Sequence, residues 1–224
     1  MEWKLMFLLI SPILSFVFGS IAFGAILTKI FGYGNIREIG SGNIGTTNVL
    51  RTGNKMLALL TLILDGGKGA FLILIFIGIP NYTDPSNIFS VTNYPDNIMF
   101  SLALILGFFA ILGHCFSGGK GVATALGVFL VATPYAGLAA CATWLITAKI
   151  TKISSLSALI AVAIAPIVTL IIYGTAPAVI CVLITVLIWI RHKDNIKRLL
   201  KGEEPKIGAG KKDKEEAKVE PVSE

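Results

Sequence analysis

Long stretches without charged residues dominate the pattern along the chain. Residues 5–27, 121–148 and 153–190 contain no Asp, Glu, Lys or Arg. About 20 apolar residues are enough for a helix to cross the hydrocarbon layer of a membrane. The pattern therefore predicts an all-α, polytopic integral membrane helix bundle, formed by one membrane domain over residues 1–201.

The lengths of these runs predict seven transmembrane helices. The first three are expected at about residues 5–28, 56–80 and 98–113. The run 153–190 would be roughly 57 Å long as one helix, so we expect it to turn within residues 173–177. The run 121–148 is expected to divide at Thr133 and Pro134 into two short passes. If it forms one helix of 28 residues instead, the count falls to five or six spans.

The placement of charge orients these helices. The net charge is +6, yet no Lys or Arg occurs from Gly69 to Gly119. The positive-inside rule places the basic clusters in the cytoplasm, the 81–97 loop outside and the amino terminus outside. We therefore expect a multi-pass protein of the inner cell membrane. Residues 202–224 are rich in Lys and Glu without an apolar pattern, which predicts a disordered cytoplasmic tail.

Two glycine-rich segments on the cytoplasmic side are candidates for anion binding. The first, "GSGNIGTTNVLRTG" at 40–53, combines four glycines with hydroxyl and amide side chains and Arg51. The second, "SGGKG" at 117–121, surrounds Lys120 with glycine backbone before an expected helix. Glycine amides, helix N-termini and cationic side chains all favour phosphate. The alternatives are a merely flexible loop and an interfacial lysine.

Two further clusters contain polar groups close to apolar runs. In "DGGKG" at 65–69, Asp65 and Lys68 share a helix face and can pair, either as a strut or as a support for the site. His192 and Asn195 are expected on one helix face as the last span leaves the membrane. An interfacial role for His192 is the alternative. The three cysteines are scattered and indicate neither a metal site nor a disulfide.

Four of these segments resemble one known family, the bacterial acyl-phosphate–glycerol-3-phosphate acyltransferases often called PlsY. The similar segments are "GSGNIGTTNVLR", "DGGKG", "GH…GGKGVAT" and "RHKDNIKRLLKGEEPKIG", in that order over residues 5–208. The resemblance implies a seven-span enzyme that moves a fatty acyl group from acyl phosphate to the 1-hydroxyl of glycerol 3-phosphate. It implies no metal and no cofactor. One departure is a short segment, "CFS", between His114 and the second GGKG.

The resemblance also implies roles for individual residues. The proton of the attacking hydroxyl would pass to the phosphate of the acyl phosphate, while His192 orients or polarises. We assign catalytic roles to Arg51, Lys120, His192 and Asn195. We assign substrate contacts to Ser41, Gly42, Asn43, Thr47, Asn48, Lys68, His114, Gly118, Gly119 and Ser155. The expected partners are the two substrates and membrane lipid, with no nucleic acid and a monomeric chain.

Two other functions are compatible with parts of the pattern. Glycine-broken helices whose ends face a ligand are typical of anion transporters. However, the donor clusters lie at one membrane face, and the repeated GGKG tetrad is too short to count as an inverted repeat. A lipid-binding scaffold would not need the set of Arg, Lys and His side chains.

Overall fold

The chain is a bundle of α-helices. The computed structural model describes residues 2–82 and 98–208, with side chains over 9–75 and 99–208. No strand occurs within the described ranges. The all-α class is therefore confirmed. The predicted outer loop lies mainly at residues 83–97, outside the described residues.

The helices follow the predicted segmentation closely. Single turns of 3-10 helix also occur at Ile36–Glu38 and Leu50–Thr52. The α-helices of the described residues are α1 (Glu2–Gly19), α2 (Phe23–Ile30), α3 (Thr46–Val49), α4 (Lys55–Tyr82), α5 (Ile98–Phe116), α6 (Val122–Ala132), α7 (Pro134–Thr151), α8 (Ser154–Tyr173), α9 (Thr175–Arg191) and α10 (Lys193–Leu200).

Both long charge-free runs break where the sequence predicts. α6 ends at Ala132 and α7 begins at Pro134, whose ring has no backbone N–H to continue the preceding helix. The run 121–148 is therefore not one continuous helix. α8 and α9 are separated by Gly174, which has φ 90° and lies in the left-handed region that glycine tolerates.

Four helical segments of the described residues are long and apolar enough to cross a membrane: Leu9–Ile30, Lys55–Ile75, Met99–Phe116 and Ser154–Tyr173. α9 and α10 add a fifth candidate if this pair, bent by 67°, is counted as one span. α6 is apolar but shorter. By length and composition, residues 2–82 and 98–208 contain four or five such spans, which makes the chain a polytopic membrane protein.

The first predicted helix is interrupted. α1 ends at Gly19 and α2 begins at Phe23, and in this break the carbonyl of Ile21 accepts from the backbone N–H of Phe23 at 3.1 Å. The ammonium group of Lys68, on α4, donates to the same oxygen at 2.8 Å. A buried lysine therefore adds a second donor to a backbone acceptor at the break.

Close contacts between helices depend on small residues, as in other membrane bundles. A Cβ at Gly127 of α6 would collide with the backbone of Gly66 on α4. The two helices can therefore approach to backbone contact only because position 127 is glycine. Large apolar side chains such as Ile63 and Ile171 are exposed on the outside, as expected for a surface that faces lipid.

The ordered part of the chain extends beyond the expected domain boundary at Lys201. Residues 202–208 lie against the bundle, where the amide of Ile207 donates to the carbonyl of Lys152 at 2.7 Å. The side chain of Glu204 is also hydrogen-bonded to the bundle. The expected disorder is therefore wrong for 202–208. Residues 209–224 lie outside the described residues.

Candidate active site

A cavity of about 1080 Å³ lies between the 40–55 segment, α4, α6, α7, α8 and residues 191–208. It gathers side chains that are far apart in sequence. The predicted site residues in its wall are Ser41, Asn43, Thr47, Asn48, Arg51, His114, Lys120, Ser155, His192 and Asn195. Gly42, Lys68, Gly118 and Gly119 do not line it. All four predicted catalytic residues thus border one space.

The 40–53 segment is built around the side chain of Asn48. This amide is buried and donates to the carbonyls of Ile36, Ile39 and Asn43 at 2.8–3.1 Å. Its oxygen accepts from the backbone N–H of Ser41 at 3.0 Å. These bonds use most of the capacity of the amide, so Asn48 shapes the segment. They also argue against a merely flexible loop.

Arg51 offers the strongest anion-binding group of this segment. It is half-buried in the cavity wall, and its guanidinium has no hydrogen-bond or ion-pair partner among the described residues. A Cβ at Gly40 would collide with the guanidinium, and Gly40 has φ 55°. A glycine at position 40 therefore leaves space for the arginine, whose free donors suit a phosphate.

The 117–121 segment is a tight turn between α5 and α6. Gly118 and Gly121 have φ 98° and 81°, which favours glycine, and Gly121 caps the start of α6. Two arginines hold the turn through its carbonyls. Arg37 donates to Ser117 at 2.8 Å, and Arg191 donates to Gly119 at 3.2 Å.

Lys120 reaches the cavity despite the short segment after His114. Its ammonium donates to Oδ1 of Asn195 at 2.5 Å. Burial lowers the pKa of Lys120, while the charge of Glu204 opposes that shift. The lysine is thus a partly desolvated cation, and such a cation interacts more strongly with an anion than one in water.

His192 and Asn195 flank the bend between α9 and α10 and do not share one continuous helix. Both side chains are buried, and both lie in the cavity wall. Nδ1 of His192 lies 2.8 Å from the carbonyl of Ile188, so this nitrogen carries a proton and donates. In the neutral ring, Nε2 then has a free lone pair that can accept from a hydroxyl.

Glu204 anchors this side of the cavity. Its carboxylate accepts from Ser155 Oγ at 2.7 Å, from Asn195 Nδ2 at 2.6 Å and from Arg198 Nε at 2.8 Å. Burial raises the pKa of Glu204, but these hydrogen bonds outweigh it and hold the pKa below its ordinary value. Glu204 therefore orients the amide that in turn receives Lys120.

Lys68 lies outside the cavity wall, and its ammonium group contacts other groups of the protein inside the bundle. Its ammonium is 3.0 Å from Oδ1 of Asp65, 2.7 Å from Nδ1 of His114 and 2.8 Å from the carbonyl of Ile21. The predicted pairing of Asp65 with Lys68 is confirmed. These three contacts use the three donors of Lys68, which favours the strut over a direct substrate contact.

Sequence reasoning missed Glu204 and the contact of Arg191 with the 117–121 turn. Glu204 was placed in the expected disordered tail, because "KGEEPK" has no apolar periodicity. One available signal was the resemblance itself, since its last segment continues to Gly208, beyond the boundary drawn at Lys201.

The fold and this cavity define a class: a helical integral membrane protein with a cavity lined by both cationic and apolar side chains. The family profile described as Glycerol-3-phosphate acyltransferase matches residues 9–202. The chain belongs to this glycerol-3-phosphate acyltransferase family, as the sequence motifs indicate.

Relatives and solved structures agree with this membership. A glycerol-3-phosphate acyltransferase of Rhodospirillum rubrum is 46% identical over 203 residues, 88% of this chain and 89% of its own length. One of Maricaulis maris is 48% identical over 210 residues, 91% and 88% of the two chains. A crystal structure of PlsY, an integral membrane glycerol 3-phosphate acyltransferase in its glycerol 3-phosphate form, superposes with TM-score 0.76 at 31% identity, covering 90% of this chain and 96% of that one.

Proposed function

We propose that this chain transfers a fatty acyl group from acyl phosphate to the sn-1 hydroxyl of glycerol 3-phosphate. The products are lysophosphatidate and phosphate, and the reaction is the first step of phospholipid synthesis. One observation carries the proposal: Arg51, Lys120, His192 and Asn195 border a single cavity that also has an apolar wall. Family membership supports an acyltransferase acting on glycerol 3-phosphate.

The polar part of the cavity suits two phosphoryl groups. Each substrate has one, and bringing them together is opposed by charge repulsion and by their hydration. The planar guanidinium group of Arg51 offers unpaired N–H donors to one phosphoryl group. Lys120, from another segment, offers a partly desolvated ammonium group. Ser41, Thr47 and Ser155 add neutral donors in the same wall.

The apolar part of the cavity suits a fatty chain. Side chains of α4, α6 and α7 form it, and several of them are exposed on the outer surface of the bundle. These residues are Leu62, Ile63, Leu126, Leu130, Val131, Trp144 and Leu145. A groove between helices that is open to lipid would admit an acyl tail from the side while its phosphate stays at the polar end.

The reaction needs no covalent enzyme intermediate, because acyl phosphate is already an activated mixed anhydride. The hydroxyl oxygen of glycerol 3-phosphate attacks the carbonyl carbon, and the bond from that carbon to the phosphate oxygen breaks. The departing phosphate takes the hydroxyl proton. Nε2 of His192 can accept a hydrogen bond from the hydroxyl and so orient it. Alignment of two bound reactants can lower the activation barrier by roughly 7–11 kcal/mol. Hydrogen-bond donors that point at the charge developing in the transition state lower it further.

The finer topology is part of this proposal. We infer seven passes, because the breaks at Thr133 and Gly174 divide the two long runs into four helices and leave the basic end of α9 inside. The protein would be a monomer in the inner membrane, with its site facing the cytoplasm and without a cofactor. Residues 209–224 would form a disordered tail.

The test is a reconstituted assay with purified full-length protein, acyl phosphate and glycerol 3-phosphate. We expect equal amounts of lysophosphatidate and phosphate, with no product from an acyl thioester. Arg51→Ala and Lys120→Ala should each lower the rate of transfer by about 100-fold or more and remain folded. Lys149→Ala, which removes an exposed lysine outside the cavity wall, is the matched control and should retain activity. Wild-type turnover in the first two variants, or anion counterflow in liposomes without acyl transfer, would refute the proposal.

A further inference from the structure

Asp65 is a buried acid with unused hydrogen-bonding capacity. It lies within α4, is 1% exposed and forms part of the cavity wall. The ammonium of Lys68 is 3.0 Å from Oδ1, whereas Oδ2 has no hydrogen-bond partner among the described residues. Buried acceptors without donors are rare and costly, and in membrane helices they usually mark a functional site.

Lys68 compensates the charge of Asp65 and contacts only Oδ1 of its carboxylate. The other hydrogen bonds of this ammonium go to the carbonyl of Ile21 and to Nδ1 of His114. Asp65 Oδ2 therefore has neither an ion-pair nor a hydrogen-bond partner among the described side chains. Because Lys68 already balances the charge of the carboxylate, the free oxygen needs no cation. It is suited to accept a hydrogen bond from an uncharged ligand group such as a hydroxyl.

Asp65 is close to the 117–121 turn. Its Oδ1 lies 3.7 Å from Nδ1 of His114, and the ring of His114 packs directly against Gly119. Gly119 precedes Lys120 in the chain. One imidazole therefore separates the carboxylate of Asp65 from the turn that presents the lysine, and Asp65 and Lys120 line the same cavity.

The other carboxylates of the cavity wall are less suited to this role. Glu204 already accepts from Ser155, Asn195 and Arg198. Asp194 is exposed, so water competes for its oxygens. Arg51 and Lys120 in the same wall can only donate, and Nε2 of His192 is assigned to one hydroxyl, so the second hydroxyl of glycerol 3-phosphate still needs an acceptor.

We propose that Asp65 accepts a hydrogen bond from a hydroxyl of the glycerol moiety and so selects a polyol phosphate over a simple alkyl phosphate. This inference rests on the proposed function, since it takes glycerol 3-phosphate as the ligand. Asp65 is then a specificity-determining residue in addition to being the ion-pair partner of Lys68.

The test compares two ligands of equal charge on the purified full-length protein. Glycerol 3-phosphate has two hydroxyls, and propyl phosphate has none. In the wild type, the first should bind more tightly in a calorimetric titration. Asp65→Asn should weaken binding of glycerol 3-phosphate by roughly 10- to 100-fold, the worth of a hydrogen bond to a charged group, and change propyl phosphate by no more than about threefold.

Asp194→Asn is the matched control, because it removes the same charge from the exposed part of the wall. It should shift both ligands equally and preserve their ratio. Equal weakening of both ligands by Asp65→Asn would overturn the inference and leave Asp65 a purely structural residue. If Asp65→Asn does not fold, a wild-type structure with bound glycerol 3-phosphate decides. A ligand hydroxyl within hydrogen-bond distance of Asp65 supports the inference, and a hydroxyl bound elsewhere overturns it.

The two proposals fail separately. If no acyl transfer occurs, the proposed function is wrong. The ratio of the affinities for glycerol 3-phosphate and propyl phosphate still shows whether Asp65 binds a hydroxyl of the ligand. If lysophosphatidate forms and Asp65→Asn leaves the ligand ratio unchanged, only the role of Asp65 falls.

Discussion

The same tetrad, Gly-Gly-Lys-Gly, occurs at 66–69 and at 118–121 with different structures and contacts. The first copy lies inside α4, where its lysine is buried among three protein partners. The second forms a turn before α6, where its lysine has one carboxamide partner and borders the cavity. The comparison teaches that a short motif acquires its role from the backbone around it.

The glycines differ between the copies in the same way as the lysines. In α4, Gly69 leaves room for Thr124 and Val128 of α6, because a Cβ at this position would collide with both. In the turn, Gly118 and Gly121 are needed for their positive φ angles. The first set permits close packing of helices, and the second permits a turn that presents a cation.

The largest effect is expected on stability when the lysine of the first copy is removed. Lys68→Met leaves Asp65 buried without its counter-charge, which typically costs about 3–5 kcal/mol. Thermal or denaturant unfolding in detergent measures the loss. The double variant Asp65→Asn/Lys68→Met should recover part of it, because no unpaired charge remains. If Lys68→Met alone is as stable as the wild type, the first copy is not a strut.

The next effect is expected on activity when the lysine of the second copy is removed. Lys120→Ala should lower kcat/KM by about 100- to 1000-fold, the usual loss for a donor that stabilises developing negative charge. The unfolding midpoint should stay close to that of the wild type, since among the described residues the ammonium group makes one hydrogen bond, to Asn195. If Lys120→Ala were active but less stable than the wild type, Lys120 would have a structural role and not the role in activity that we propose.

The helical framework could be predicted from the sequence because charge and helix breaks are local signals. Pro134 and Gly174 mark the turns that the two long runs require, and both turns are present. The break at Ile21 could not be predicted, because it is stabilised by Lys68 from another helix. Arg51 and Lys120 belong to compact motifs, so the sequence could select them as candidates, and both line the cavity. Glu204 could not be selected in this way, because its place depends on tertiary contacts with Ser155 and Asn195.

A matched pair of glycines gives a finer comparison of the two copies. Gly67 and Gly119 occupy the same position in the tetrad. A Cβ at Gly67 would meet no atom within 4 Å, whereas one at Gly119 would collide with the ring of His114. Gly119→Ala should therefore destabilise the protein by about 1–3 kcal/mol, the typical cost of overpacking. Gly67→Ala should be neutral or stabilising by up to about 1 kcal/mol, since alanine favours helix. Equal unfolding midpoints for Gly119→Ala and Gly67→Ala would contradict the different packing that we assign to the two glycines.

The smallest effect is expected from pH, and it tests whether the second copy depends on residues 202–208. Hydrogen bonds hold the pKa of Glu204 below the ordinary 4.5, so its contribution to stability is complete above that pH. As pH falls below 4.5 toward the lower folded pKa, protonation removes the contribution. Glu204→Gln should cost at most about 1 kcal/mol near pH 7, because Arg198 is partly exposed. In unfolding measurements, the difference in free energy of unfolding between Glu204→Gln and the wild type should shrink as the solution is acidified through this range. The loss of kcat/KM in Lys120→Ala is measured near pH 7 and should keep its size. A gap between Glu204→Gln and the wild type that does not narrow on acidification would mean that the carboxylate charge does not hold Asn195, and with it Lys120, in place.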